Sequence, residues 1–271
     1  MRSWIKCHLC GLAPSFGREP PWNRQVQQMS EVGPRVAIVT GASRGIGAAV
    51  AQRLRHDGWQ VVGADLDAAE GADLNLVVGD VAREQTWDRL IEAARPMGSL
   101  SAVVNNAGVQ GNGRHLHETE FTDFTQILGT NVNSAFLGTR AALRHGAEGT
   151  SVVNVASNAG LRGVPRYGAY VTAKHAVIGL TRTAALEGAR RGVRVNAVAP
   201  GPTETRIMDD VVRTFDPTSP AAAHKKLTRA NPMGRFATPD EIAAAIVWLL
   251  SDESGYVTGT VLSVDGGLTA A

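Results

Sequence analysis

Apolar positions along the chain follow two alternating patterns. Short runs rich in β-branched residues occur at Arg35–Val39, Gln60–Ala64, Leu74–Val78, Leu100–Asn105, Ser151–Val155, Val193–Val198 and Val261–Val264. Most are apolar nearly throughout, as strands buried on both faces are. Between them lie longer segments at Gly45–His56, Glu84–Ala94, Glu118–Arg144, Tyr167–Gly188 and Pro239–Ser251, with apolar residues at three-and-four spacing. That is the period of a helix with one buried face. Such alternation predicts βαβ units. Seven strands fit one doubly wound parallel sheet with helices on both faces, an α/β fold in a single domain.

Two stretches break the pattern. Residues 1–33 show little periodicity and are read as a flexible extension, with Met29 a candidate start and 34–271 the folded catalytic domain. The segment from Thr203 to Pro232 is mixed polar, contains Pro217, Pro220 and Pro232, and reads as irregular. A long irregular insertion in a compact domain is usually functional, so residues 203–232 are expected to be a substrate lid.

Composition narrows the function. Hydrophobic residues are 44% and charged residues 19%, which provides a core and excludes a disordered chain. A net charge of +2 without a run of like charges argues against a nucleic-acid surface. The two cysteines, Cys7 and Cys10, form a lone Cys-x-x-Cys without the second pair a zinc site needs. His115 and His117 likewise lack a third ligand, so no metal is expected. No stretch reaches the roughly 18 apolar residues of a membrane helix, and no signal-peptide core is evident, which points to a cytoplasmic protein without a membrane partner.

The first strand runs into Thr40-Gly41-Ala42-Ser43-Arg44-Gly45-Ile46-Gly47, a glycine-rich turn that opens a helix. Backbone N–H groups and the helix dipole at such a turn suit a pyrophosphate. The spacing is Gly-x-x-x-Gly-x-Gly rather than Gly-x-Gly-x-x-Gly, but the strand–turn–helix context is present. Tyr170 and Lys174 stand four residues apart in a predicted helix, so phenol and ammonium share a face. A tyrosine with its usual pKa of about 10 is a poor base at neutral pH, and a nearby lysine cation is expected to favour its phenolate. Ser157 ends a predicted strand, where doubly wound folds place ligands.

With these motifs the chain resembles the short-chain dehydrogenase/reductase family, whose nucleotide motif is Thr-Gly-x-x-x-Gly-x-Gly and whose catalytic motif is Tyr-x-x-x-Lys. The resemblance runs from about Val36 to Leu268. It implies a Rossmann-type sheet and the following roles. Asn106, Ala107 and Gly108, in Asn105-Asn106-Ala107-Gly108, lie beside the adenosine ribose. Asp80 and Val81 touch the adenine. Asn131 joins Ser157, Tyr170 and Lys174 as the catalytic set, holding a water in a proton relay to the lysine. Ser157 stands thirteen residues before Tyr170, the family separation. Tyr170 and Lys174 also contact the cofactor. Pro200, Gly201, Thr203 and Thr205 lie near the nicotinamide carboxamide. Val264-Asp265-Gly266-Gly267 matches the last strand's ending. A homotetramer is implied, packed through the helices that carry Asn131 and Tyr170.

Asp65 follows the second strand, eighteen residues beyond Gly47, where it can accept hydrogen bonds from ribose hydroxyls and repel a 2′-phosphate. Arg44 argues the other way, because a basic residue there can pair with that phosphate. The cost of a desolvated carboxylate beside a phosphate favours NAD, with NADP the alternative. The expected activity is hydride transfer between the dinucleotide and a small-molecule secondary alcohol or ketone. Two rivals are an NADPH-dependent 3-oxoacyl-(acyl-carrier-protein)-type ketoreductase and a non-catalytic dinucleotide-sensing protein. Tyr167, with Val171 rather than a lysine four residues on, is assigned to packing or substrate contact. Val109, Asn158 and Met208 are expected around the substrate.

Overall fold

Alternate side chains of a strand point to opposite faces of its sheet. Along β1 (Arg35–Thr40), Val36 and Ile38 accordingly pack into one core cluster with Val62, Leu90 and Val103. Ala37 and Val39 pack into another with Val50, Ile246 and Leu249. Both faces of the strand are therefore covered, and every apolar residue of β1 is fully buried. The computed structural model describes residues 33–67 and 74–270, and from Pro34 on these form one compact unit. The expectations placed on the N-terminal extension, including Cys7, Cys10 and Met29, lie outside the described residues.

The remaining strands are β2 (Gln60–Asp65), β3 (Asn75–Val78), β4 (Ser99–Asn105), β5 (Ser151–Val155), β6 (Arg194–Pro200) and β7 (Val261–Val264). They make a seven-stranded sheet in the order β3-β2-β1-β4-β5-β6-β7, parallel at every pairing. The order reverses between β1 and β4, and ligands of doubly wound sheets bind at the carboxyl ends of the strands flanking such a point. Helices α1 (Gly45–His56) and α2 (Glu84–Ala94) carry the early crossovers.

The helix expected over Glu118–Arg144 is several pieces. A 3₁₀ turn (Leu116–Glu118) precedes α3 (Phe121–Leu128), a π turn (Gly129–Asn133) and α4 (Ser134–His145). The π turn has a local cause. The Asn131 side chain donates to the carbonyl of Ile127 at 2.8 Å, which in a regular α-helix accepts the backbone N–H of residue 131. Such π-bulges concentrate at functional sites.

The segment Thr203–Pro232, expected to be irregular, holds two helices, α6 (Arg206–Phe215) and α7 (Pro220–Arg229). The prolines are not breakers here. Pro220 sits in the first turn of α7, where its missing N–H costs nothing. Asp216 Oδ1 accepts from the backbone N–H groups of Thr218 and Ser219 and shapes the turn between the helices. Val212, Ala223 and Phe236 bury a small core of their own beneath it. Helix α5 (Gly168–Gly188) follows the β5 loop, and α8 (Pro239–Leu250) starts with a capping box between Thr238 and Glu241.

A buried polar network ties β4, β5, α4 and α5 together below the strand ends. Asn105 Nδ2 donates to Asn154 Oδ1 at 2.7 Å, and Asn154 Nδ2 donates to Thr181 Oγ1 at 2.9 Å. Thr139 Oγ1 donates to the same Asn154 oxygen. These bonds tie the four elements to one another, although Asn105 Oδ1 is buried without a hydrogen-bond partner among the described residues.

Candidate active site

The turn after β1 is shaped by close approach rather than by sequence identity alone. Gly41 and Gly45 have φ of +64° and +56°, which glycine adopts without strain. A side-chain carbon on Gly47 would lie 2.1 Å from the carbonyl oxygen of Gly41, so only glycine fits. Asn106 locks this turn to β4, its Nδ2 donating to the carbonyls of Thr40 and Gly41 at 3.0 and 3.2 Å. The N–H groups of Asn106 and Ala107 both donate to Thr40 Oγ1. A glycine cradle opening a helix fits the pyrophosphate of a dinucleotide.

Asp65 braces the same turn. Its Oδ2 accepts from Ser43 N at 3.0 Å and its Oδ1 from Leu66 N at 2.8 Å, and each oxygen keeps a second lone pair for a ligand. Arg44 is not left to face a phosphate. Its guanidinium pairs with Asp67 at 3.3 Å, and Ser43 Oγ donates to the Asp67 carbonyl. Asp67 escaped the sequence reading, although it stands only two residues past Asp65. Asp80 Oδ1 accepts from Ala82 N. The Val81 side chain is buried in the core, and its carbonyl accepts from the Trp87 indole N–H at 2.9 Å.

A cavity of about 500 Å³ opens beside the turn at the carboxyl end of the sheet. Asn131, Ser157, Tyr170 and Lys174 all line it, as do Ile46, Asn106, Gly108, Pro200, Gly201, Thr203 and Thr205. Ser157 caps the 3₁₀ turn Asn158–Gly160, its Oγ accepting from Ala159 N at 3.1 Å and donating to Asn158 Oδ1 at 3.2 Å. Lys174 Nζ, buried, donates to the carbonyl of Val155 at 2.8 Å and lies 5.5 Å from the centre of the Tyr170 ring. Asn131 Nδ2 is held by the carbonyls of Val109 and Ile127, while its Oδ1 is buried without a hydrogen-bond partner among the described residues. A side-chain carbon on Gly108 would lie 2.5 Å from that Oδ1 and 3.6 Å from Lys174 Nζ. The space over Gly108 is thus bounded by an acceptor and a cation.

One electrostatic expectation is corrected. Burial dominates both groups of the Tyr170–Lys174 pair. It pushes the Tyr170 phenol up, opposed only by the Ser157 hydrogen bond, and brings Lys174 down to about 8. The lysine sits beside the tyrosine ring and its hydrogen bond goes to Val155. In the protein by itself the phenol is therefore held neutral, suited to donating a proton.

Thr203 is buried, with Oγ1 on the Gly201 carbonyl, and its backbone bridges to Ala237. Thr205 precedes α6 and touches the turn, its methyl 3.3 Å from where a side chain on Gly45 would start. Of the expected substrate neighbours, Asn158, Met208 and Tyr167 line the cavity. Val109 is not among its lining residues and contributes its carbonyl to Asn131 instead. His115 and His117 stack at 5.8 Å, and no group of three or more metal-ligating side chains occurs among the described residues. No helix among them is long and apolar enough to cross a membrane.

Sequence reasoning missed Gln110, Arg162, Arg166 and the α6 residues Ile207, Val211 and Phe215 in the lining. The last three, with Met208, repeat at helical spacing, a signal present in the sequence but masked by the flanking prolines.

A family model described as Enoyl-(Acyl carrier protein) reductase matches residues 41–269. The chain is 38% identical to 2,5-dichloro-2,5-cyclohexadiene-1,4-diol dehydrogenase of Sphingobium indicum, over 89% of this chain and 100% of that one. It is 34% identical to levodione reductase of Leifsonia aquatica, over 88% of this chain and 95% of the relative. A crystal structure of levodione reductase superposes with a TM-score of 0.82 at 32% identity, covering 89% of this chain and 100% of that one. Cradle, cavity and relatives agree: the chain belongs to the short-chain dehydrogenase/reductase family and is an oxidoreductase that works with a nicotinamide dinucleotide.

Proposed function

We propose that this protein interconverts a secondary alcohol and a ketone, using NAD(H) in preference to NADP(H). The observation that carries the reading is the meeting of Ser157, Tyr170 and Lys174 in one cavity beside the glycine turn. The relatives' names, a diol dehydrogenase and a reductase, are the two directions of one such reaction.

The dinucleotide would rest its pyrophosphate on the turn from Gly41 to Gly47, with Ser43, Arg44, Gly45 and Ile46. Its ribose would meet Asp65 and its adenine end Asp80 and Val81. Asn106, Ala107 and Gly108 line its path, and Pro200, Gly201, Thr203 and Thr205 serve the nicotinamide end with Tyr170 and Lys174. When bound, it supplies the hydride acceptor for an alcohol or the donor for a ketone.

The chain's own residues manage the proton. Ser157 Oγ orients the substrate oxygen. Tyr170 gives its proton to a ketone oxygen or takes one from an alcohol. Asn131 Oδ1 and Lys174 Nζ, both bounding the space over Gly108, hold the water through which that proton is exchanged. Helices α6 and α7 act as the lid, covering the substrate with Ile207, Met208 and Phe215. Phe136 and Leu186, exposed on α4 and α5, support assembly into a homotetramer through those helices.

The Arg44–Asp67 ion pair favours NAD(H), because a 2′-phosphate would have to displace one carboxylate and approach another. It weighs against the acyl-carrier-protein alternative, which needs Arg44 free for NADPH. Fluorescence titration with NADH and NADPH tests the reading. Tighter NADH binding, weakened in Asp65→Ala, supports it; tighter NADPH binding by the unaltered protein would sink the cofactor assignment.

A further inference from the structure

The cavity lining carries positive charge that has no ion-pair partner among the described residues. Arg162 and Arg166 lie on the loop between Ser157 and Tyr170, and both line the cavity. Lys174 is a third cation there, and no Asp or Glu is among the described lining residues. Arg166 has φ of +72°, the only non-glycine residue with positive φ among those described. Such a conformation persists only when the surroundings over-determine it. Here the guanidinium is anchored by Nε donating to the carbonyl of Gly113 at 2.8 Å, which leaves both terminal nitrogens available.

Gly113 also marks where this wall closes. A side-chain carbon there would lie 3.0 Å from the Thr214 methyl of α6 and 3.1 Å from the Tyr167 hydroxyl. The Arg166 charge is felt by that phenol, drawing it down against the burial that raises it. Val164, Ile207, Met208 and Phe215 add apolar surface to the lining, beside polar Gln110, Asn158, Thr214 and Asn231. Both arginines are exposed while lining the cavity, so their charges stay solvated and are open to an incoming anion.

Resting on the oxidoreductase reading above, we infer that the substrate is a compact alcohol or ketone bearing an anionic group, a carboxylate or its like, that Arg162 and Arg166 receive. A planar guanidinium with free terminal nitrogens suits bidentate pairing with a carboxylate. The apolar lid then covers the carbon frame, and the hydroxyl end points to Ser157 and Tyr170.

Calorimetric titration of the full chain, in the presence of whichever reduced dinucleotide binds more tightly, uses two isosteric probes, cyclohexanecarboxylate and cyclohexanecarboxamide. The carboxylate is expected to bind about tenfold more tightly or better, the margin of a charged hydrogen-bonded pair. That margin should vanish in Arg162→Ala/Arg166→Gly, where glycine suits the positive φ, and should shrink in Arg166→Lys, which keeps the charge but loses the fork and the Nε anchor to Gly113. Thermal melting checks that each variant folds, and the single variants Arg162→Ala and Arg166→Gly each read part of the loss. Equal binding of the two probes by the unaltered protein, or a margin that survives the double replacement, overturns the inference. Turnover is scored separately with 4-hydroxycyclohexanecarboxylate and 4-hydroxycyclohexanecarboxamide, each with the oxidised form of the same dinucleotide as hydride acceptor. Carboxylate binding without turnover of any alcohol overturns the oxidoreductase reading alone. Turnover without a carboxylate margin overturns the anionic substrate alone.

Discussion

Asn131 Oδ1 and Lys174 Nζ bound the same small space over Gly108, at 2.5 and 3.6 Å from where a side chain on that glycine would begin. Asn131 is set by a π turn that its own amide sustains, and Lys174 is drawn down from α5 to the Val155 carbonyl.

Filling that space should therefore uncouple the pair. In Gly108→Ala the new methyl competes with Asn131 Oδ1, and Asn131 cannot yield freely because two carbonyls hold its amide. We expect kcat for alcohol oxidation to fall by roughly tenfold to a hundredfold, the scale of an ångström's misplacement. Steady-state kinetics reads this directly; an unaltered kcat would mean that Asn131 swings aside.

Tyr170→Phe should lower kcat by about 10²–10⁴-fold in either direction, the usual worth of a positioned proton-transfer group. The two directions should differ in pH dependence in the unaltered protein. Because burial raises the phenol's pKa, alcohol oxidation, which needs the phenolate, should climb through neutral and alkaline pH. Ketone reduction, which needs the neutral phenol, should stay level until the phenol ionises. Rate profiles with matched alcohol and ketone would show it, and oxidation independent of pH would count against Tyr170 as the base.

Lys174 carries a stability cost whose sign can be worked out. Folding lowers its pKa from 10.5 to about 8. Between those values the unfolded chain holds a proton that the folded protein has released, so stability from this group rises with pH across that window. Below pH 8 both states are protonated and the full cost of the buried charge is felt. At 1.36 kcal/mol per pKa unit the rise is about 3 kcal/mol. Urea unfolding of the unaltered protein and Lys174→Met from pH 7.5 to 10.5 should show their difference growing by that order in favour of the lysine. A constant difference would contradict the placement of the ammonium.

Releasing Arg44 should shift cofactor choice. Asp67→Ala removes the carboxylate that now pairs with it and should raise NADPH affinity relative to NADH. The pair is exposed, so a change of severalfold is expected rather than a reversal. Asp65→Ala should shift the ratio further, because that carboxylate also holds Ser43 N in the turn. Equal ratios in the unaltered protein and Asp67→Ala would show that Arg44 never reaches a 2′-phosphate.

Much of this protein is legible residue by residue. The seven strands stand within a residue or two of the positions expected from their apolar runs, because a strand buried on both faces needs apolar side chains at every position. The glycine turn and the four-residue step from Tyr170 to Lys174 are equally local, one set by backbone sterics and the other by helical pitch. What the chain alone does not reveal depends on partners far apart along it. Helices α6 and α7 are stabilised by burying Val212 and Ala223 with Phe236, so their prolines alone mislead. Asp67 neutralises Arg44 from 23 residues away, and Gly113 holds Arg166 from 53. The pKa values of Tyr170 and Lys174 follow burial rather than their spacing. Periodicity and sterics act on neighbours and can be read in order, whereas burial and charge pairing arise only when packing brings distant side chains together.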